Sequence, residues 1–181
     1  RQEIGRLQRL ADDLLTLARS DLKELVLAVA PLDLLPLVAE VVQRVMPLAR
    51  AQHVNVTLAP TDSARAPVLL EADPDRLQQV LLILIDNALK HSPSGGSITL
   101  RVEHQGGEAL VEVRDTGEGI PAEQLSRVFD RFFRGDAARV RSSAAGGAGL
   151  GLSIAKSLVE AHGGHLTLSS RVGKGTVAVV R

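Results

Sequence analysis

The sequence predicts an α+β protein, a two-layer α/β sandwich preceded by one bundle helix, and three observations predict it. Apolar residues recur at steps of three and four in four segments long enough to be helices. Two stretches that alternate apolar and polar residues fold back on themselves, one across Gly106-Gly107 and one between Ser170 and Thr176, so part of the sheet is antiparallel. Helices and strands are interleaved in mixed order, which layers helices on a sheet rather than separating them.

The elements follow in order. Ile4, Leu7, Ala11, Leu14 and Ala18 form the stripe of an amphipathic helix over the first twenty residues, widened by Leu10, Leu15 and Leu17, a breadth that calls for a partner. Residues 25–30 read as a short strand broken by Pro31, and Leu32 to Ala51 as a helix with Pro36 in its first turn and Pro47 near its end. His53 to Leu58 and Pro67 to Glu71 read as strands joined by a polar turn. Asp73-Pro74 supplies an N-cap and a first-turn proline for a helix to about His91. Ser97 to Glu103 and Ala109 to Arg114 form a hairpin, and a short helix follows Pro121. Arg134 to Gly149 has few apolar anchors and reads as a lid that orders with a triphosphate nucleotide. A helix from Gly151 to Ala161 ends at Gly163-Gly164, and Leu166 to Ser170 pairs with Thr176 to Val180.

Composition narrows the function. The 181 residues include 21 Lys+Arg and 21 Asp+Glu, so no net basic field draws nucleic acid or anionic lipid. There is no cysteine, hence no disulfide framework and no thiolate metal site. Apolar runs such as Val80 to Ile85 are too short to span a bilayer. The chain begins at Arg1 inside a helical pattern, so an upstream part is expected to be missing.

Three blocks carry chemistry. Asn87, Lys90 and His91 fall at the edge of the buried face of their helix, where a side chain can enter a cleft. The Asn87 amide oxygen is a hard donor that can ligate Mg2+, or it caps the helix; Lys90 can neutralise a phosphate; His91 bonds a phosphate or ends the helix favourably for its dipole. Asp115 follows a strand in Asp115-Thr116-Gly117-Glu118-Gly119-Ile120, where a carboxylate can accept the exocyclic amine of adenine and the glycines let a flat base approach, unless this is an ordinary turn. Gly147-Ala148-Gly149-Leu150-Gly151 runs straight into a helix, so its free N–H groups can face phosphate; a flexible linker is the plain alternative. A dinucleotide-binding fold does not fit, because no strand and acidic ribose partner flank these glycines.

In this order, with Phe129-Asp130-Arg131-Phe132-Phe133-Arg134 and Gly173-Lys174-Gly175-Thr176, the blocks resemble the catalytic and ATP-binding domain of sensor histidine kinases, within the GHKL or Bergerat-fold ATPases, over roughly Leu32 to Val180. Asn87 to His91 looks like the N box, Asp115 to Ile120 and Gly147 to Leu152 like glycine boxes, and Phe129 to Arg134 like the F box, which separates histidine kinases from topoisomerase-like relatives. The resemblance implies ATP and Mg2+ as ligands, with Asn87 on the metal. Lys90, Asp115, Gly117, Gly119, Ile120, Phe129, Phe132, Gly147, Gly149, Leu150, Gly151 and Thr176 would line the nucleotide site. Catalysis would fall to Asn87, Lys90, His91 and Arg134, the last contacting the γ-phosphate or docking the acceptor helix.

It further implies phosphoryl transfer to a histidine on a dimerisation helix absent here, then to a response regulator receiver domain. Residues 1–22 would end the dimerisation and phosphoacceptor hairpin, and 23–181 would be the catalytic domain. The full protein would be a homodimer, with this part the cytoplasmic domain of a membrane-anchored bacterial sensor, reaching membrane only through upstream segments. Two departures bear on it: Ile83 stands where the family commonly has a further Asn, and none of the five histidines lies in the opening helix. A conformational ATPase and an impaired nucleotide-binding regulator are the alternatives.

Overall fold

The computed structural model describes residues 2–60, 67–105, 107–135 and 148–181. Helix α1 (Gln2–Asp21) leads by an irregular segment into β1 (Ala30–Asp33), α2 (Leu34–Ala51), β2 (Asn55–Leu58), β3 (Leu69–Ala72), α3 (Pro74–His91), β4 (Ser97–Gln105), β5 (Glu108–Asp115), the short α4 (Ala122–Leu125), α5 (Gly151–Ala161), β6 (Leu166–Arg171) and β7 (Gly175–Val180). A five-stranded sheet runs β2-β4-β5-β7-β6, with β2 parallel to β4 and the other pairs antiparallel. Helices α2, α3 and α5 pack on one of its faces, giving the two layers.

Strand alternation explains why that face is the buried one. Ile98, Leu100 and Val102 of β4 lie across from Asp115, Val113 and Val111 of β5, and every one of these side chains is buried. The intervening residues put Arg101, Glu103, Glu112 and Arg114 on the opposite face, in ion pairs along each strand. Val38, Val41, Ile85, Ile154 and Leu158 of the helices are at most 1% exposed and complete the core. Burying each such side chain contributes about 1.5–3 kcal/mol.

Three segments differ from the sequence expectation. Pro31 lies inside β1 rather than ending a strand over 25–30; β1 pairs only with β3, so both strands are edges and a residue without an N–H is tolerated. The segments before and after residues 61–66 belong to different sheets, β2 beside β4 and β3 beside β1. His53 does not start a strand: it takes a left-handed conformation (φ 56°) past the end of α2, where its N–H donates to the Arg50 carbonyl. Helix α2 continues through Pro47, whose ring and the exposed Gln43 one turn earlier both face water.

The opening helix is not free of the domain. It lies against α5, burying Leu17 and Thr16, while Leu14 and Leu15 of the same stripe remain 42% and 50% exposed. No described helix is long and apolar enough to cross a membrane.

Candidate nucleotide site

The buried row Val111, Val113, Asp115 ends on a carboxylate where the alternation calls for an apolar side chain. One position further in register, Thr176 of β7 and Ser170 of β6 stand opposite each other, so the last row of the core face is polar. Asp115 Oδ1 accepts from the N–H of Gly117 at 2.8 Å and of Thr176 at 3.1 Å. Its Oδ2 accepts from no described group. Burial pushes the Asp115 carboxyl above its ordinary value, against the lowering effect of the Gly117 and Thr176 N–H groups and of His91. A buried carboxylate with one oxygen held and the other open can accept from an amine-bearing ligand.

The polar row is itself tied together. Ser170 Oγ donates to the Gly175 carbonyl at 2.8 Å and accepts from the Ile120 N–H at 2.8 Å. Its single proton being spent there, the 2.9 Å contact with Thr176 Oγ1 has Thr176 as donor.

The loop after Asp115 is fastened on two sides. Glu118 N–H donates to the His91 carbonyl at 3.2 Å, and Gly173 N–H donates to the Glu118 carbonyl at 2.8 Å, so the end of α3 and the β6–β7 turn both hold it. The glycines answer first to this packing. A Cβ on Gly119, which has φ +73°, would stand 2.2 Å from the Arg171 carbonyl oxygen, and one on Gly117 would stand 2.5 Å from that of His91.

The end of α3 faces the start of α5. A Cβ on Gly151 would lie 3.2 Å from Ile83 Cγ2 and 3.9 Å from Asn87 Nδ2, which brings Asn87 to the glycine-rich helix start. Asn87 and Ile83 are both half-buried, and Ile83 packs on the core at the place where a second polar donor was expected from the resemblance. Lys90 is in an ion pair with Asp86 one turn earlier, and His91 Nδ1 lies 2.8 Å from Glu118 Oε1. Leu150 is buried at the start of α5, where no side chain caps the first turn.

The aromatic block lies against the same helix start. Phe132 N–H donates to the Gly149 carbonyl at 2.9 Å, and Phe132 has φ 61° and is 61% exposed. Phe129 is half-buried, with Lys156 of α5 5.4 Å from its ring centre. Arg131 bonds Asp21 at the end of α1, and Arg134 is half-buried beyond Phe133. Of the expected site residues only Gly147 lies outside the described residues, as do residues 136–147 of the proposed lid.

Sequence reading had not singled out Ser170, Glu118 as a partner of His91, or Asp86 as a partner of Lys90. Asp86 was findable from its i, i+4 spacing; the other two depend on strand and loop register. A separate concavity of about 610 Å3, with Leu77, Val80, Val111, Val159 and Val180 in its walls, lies at the other end of the sandwich and contains none of the expected site residues.

Known proteins resemble the chain in sequence and fold. The family described as histidine kinase-, DNA gyrase B- and HSP90-like ATPase matches residues 72–181. The chain is 39% identical over 176 residues to sensor histidine kinase WalK of Bacillus subtilis (strain 168), covering 96% of this chain and 28% of that protein. Full-length ShkA in complex with AMPPNP superposes with a TM-score of 0.85 at 30% identity, over 99% of this chain and 36% of that one. Histidine kinase ThkA in complex with response regulator protein TrrA gives a TM-score of 0.77 at 27% identity, over 99% of this chain and 47% of that one. The chain thus spans less than half the length of each of these relatives.

Proposed function

Because the chain belongs to the histidine kinase-, DNA gyrase B- and HSP90-like ATPase family, we propose that it is the ATP-binding kinase domain of a two-component sensor histidine kinase. The observation that carries the reading is Asp115, with one carboxylate oxygen held by two backbone N–H groups and the other open beside a glycine loop. The open oxygen accepts the adenine amine, and the loop Gly117, Gly119, Ile120 and Thr176 surround the base. Phosphates extend toward Lys90, His91 and the uncapped start of α5 at Gly149, Leu150 and Gly151, where N–H groups and dipole favour anions. Phe129 and Phe132 wall the site, and Arg134 contacts the γ-phosphate or docks the acceptor helix.

Mg2+ fits the donors present. The described residues contain no group of three or more acidic or histidine side chains that could cage a metal. A single half-buried amide oxygen, from Asn87, suits an ion that takes one or two protein ligands and completes its shell with phosphate and water. When bound, the ion would neutralise phosphate charge. This chain's own residues fix the nucleotide's orientation and position its terminal phosphate.

In the reaction the bond from the γ-phosphorus to its bridging oxygen breaks, a phosphorus–nitrogen bond forms to an imidazole outside this chain, and ADP leaves. A response regulator aspartate then receives the phosphoryl group, in keeping with the ThkA complex. Residues 1–22 belong to the dimerising hairpin of a homodimer, and this domain works on the cytoplasmic side. Titration with ATP, with and without Mg2+, tests the reading: Asn87→Ala should lower affinity for Mg-ATP more than for metal-free ATP. Equal losses would remove Asn87 from the metal, and no ATP binding by the unaltered chain would overturn the function.

A further inference from the structure

We propose that Ser170 is a positioning residue that fixes the proton direction of the Thr176 hydroxyl, so that the base end of the site presents acceptors alone and selects a purine whose exocyclic group is an amine rather than an oxygen. This rests on the nucleotide reading above. Both side chains are half-buried, and they stand opposite each other in the β6–β7 ladder.

Three contacts leave one arrangement of protons. Ser170 Oγ lies 2.8 Å from the Gly175 carbonyl oxygen, 2.8 Å from the Ile120 nitrogen and 2.9 Å from Thr176 Oγ1. A carbonyl only accepts and a backbone N–H only donates, so Ser170 gives its one hydrogen to Gly175 and takes one from Ile120. Two hydroxyl oxygens at 2.9 Å need a hydrogen between them, and Thr176 alone has one left to give. Ser170 Oγ is then full, with one bond donated and two accepted.

Thr176 is left with its lone pairs. Its hydroxyl has no other partner among the described residues, and its N–H is already given to Asp115 Oδ1 at 3.1 Å. The open Oδ2 of the same carboxylate is an acceptor as well. A primary amine brings two hydrogens to such a pair of oxygens, whereas a carbonyl oxygen in its place meets only lone pairs. A Thr176 hydroxyl free to turn would lose this preference, because it could donate to an oxygen as readily as accept from an amine. The strand ladder and the bond from Ile120 hold Ser170 where it prevents that turn.

The test is calorimetric titration of ADP and of inosine diphosphate, which differ in the base alone, with the unaltered chain, Ser170→Ala, Ser170→Thr, Thr176→Val and the variant carrying both Ser170→Ala and Thr176→Val. The unaltered chain should prefer ADP. Ser170→Ala should lower the ratio of ADP to inosine diphosphate affinity about 5-fold, the scale of one neutral hydrogen bond, and Ser170→Thr, which keeps the hydroxyl, should hold it. Thr176→Val leaves Ser170 bonded to Gly175 and Ile120 and should lower the ratio too. Adding Ser170→Ala to it should lower the ratio no further, because Ser170 acts through Thr176. No preference for ADP in the unaltered chain, a ratio unchanged in Ser170→Ala or Thr176→Val, an equal fall in Ser170→Thr, or additive falls in the double variant would overturn this proposal and leave nucleotide binding standing. Failure of the unaltered chain to bind either ligand would overturn both.

Discussion

Asp73 and Asp115 are both buried carboxylates, 6% and 8% exposed, at opposite ends of α3, and their hydrogen bonds separate them. Asp73 is saturated. Its Oδ1 accepts from Arg76 N–H at 3.1 Å and its Oδ2 from Ala28 N–H at 2.9 Å, while its own N–H donates to His162 Nε2 at 3.0 Å. His162 Nδ1 in turn donates to the Leu158 carbonyl at 2.7 Å, so one residue ties the segment before β1, the start of α3 and the end of α5. Asp115 fills one oxygen and leaves the other open. A saturated buried acid holds a fold together, whereas a half-filled one is equipped to hold something else.

Their titrations point the same way. Burial raises the Asp73 carboxyl, but the N–H groups of Ala28 and Arg76 outweigh it and hold it below its ordinary value. At Asp115 burial prevails. Asp73 therefore stabilises the fold above the carboxylate range, and that contribution is lost as pH falls through its lowered value. Ionised Asp115 costs stability in the nucleotide-free chain, and the cost is relieved as pH falls through its raised value.

The sharpest way to break the contrast is to truncate the saturated acid. Asp73→Ala removes an N-cap and orphans the Ala28 N–H, so thermal or urea unfolding should show a loss of about 2–4 kcal/mol. A loss below about 1 kcal/mol would mean that the bonds at this end are not structural. Asp115→Asn should leave stability at neutral pH unchanged or slightly raised, because an amide oxygen can still accept from Gly117 and Thr176. It should weaken ADP by about 1–3 kcal/mol, since the amide NH2 then meets the adenine amine donor to donor. Unchanged ADP affinity would remove Asp115 from the base.

The smallest effect compares two glycines of the same turn. Gly173 and Gly175 have φ of +73° and +89°, but a Cβ at Gly173 meets nothing within 4 Å while one at Gly175 would lie 2.0 Å from the Asp115 carbonyl oxygen. Each alanine carries a left-handed penalty of about 1–2 kcal/mol. Gly175→Ala should cost about 1 kcal/mol more in unfolding experiments and weaken ADP as well. Equal costs would show that the turn is not seated on Asp115.

What could be read in the sequence follows the same division between local and distant causes. Both ends of α3 and α5 were legible, because Asp73-Pro74 and Gly163-Gly164 are local stop and start signals. The strand through Pro31 was not, because its tolerance depends on a lone partner, β3, some forty residues away. Asp115 was legible as a carboxylate ending an apolar strand. The bonds of Ser170 to Ile120 and of Glu118 to His91 were not, because they exist only once the register of three strands and the end of α3 are fixed.

Amide hydrogen exchange with and without Mg-ADP tests the central claim most directly, because both acids report through named N–H groups. The account predicts that Gly117 and Thr176, which donate to Asp115, gain protection when nucleotide is added, while Ala28 and Arg76, which donate to Asp73, exchange as before. Unchanged exchange at Gly117 and Thr176 under saturating nucleotide, or an equal gain at both ends of α3, would contradict it.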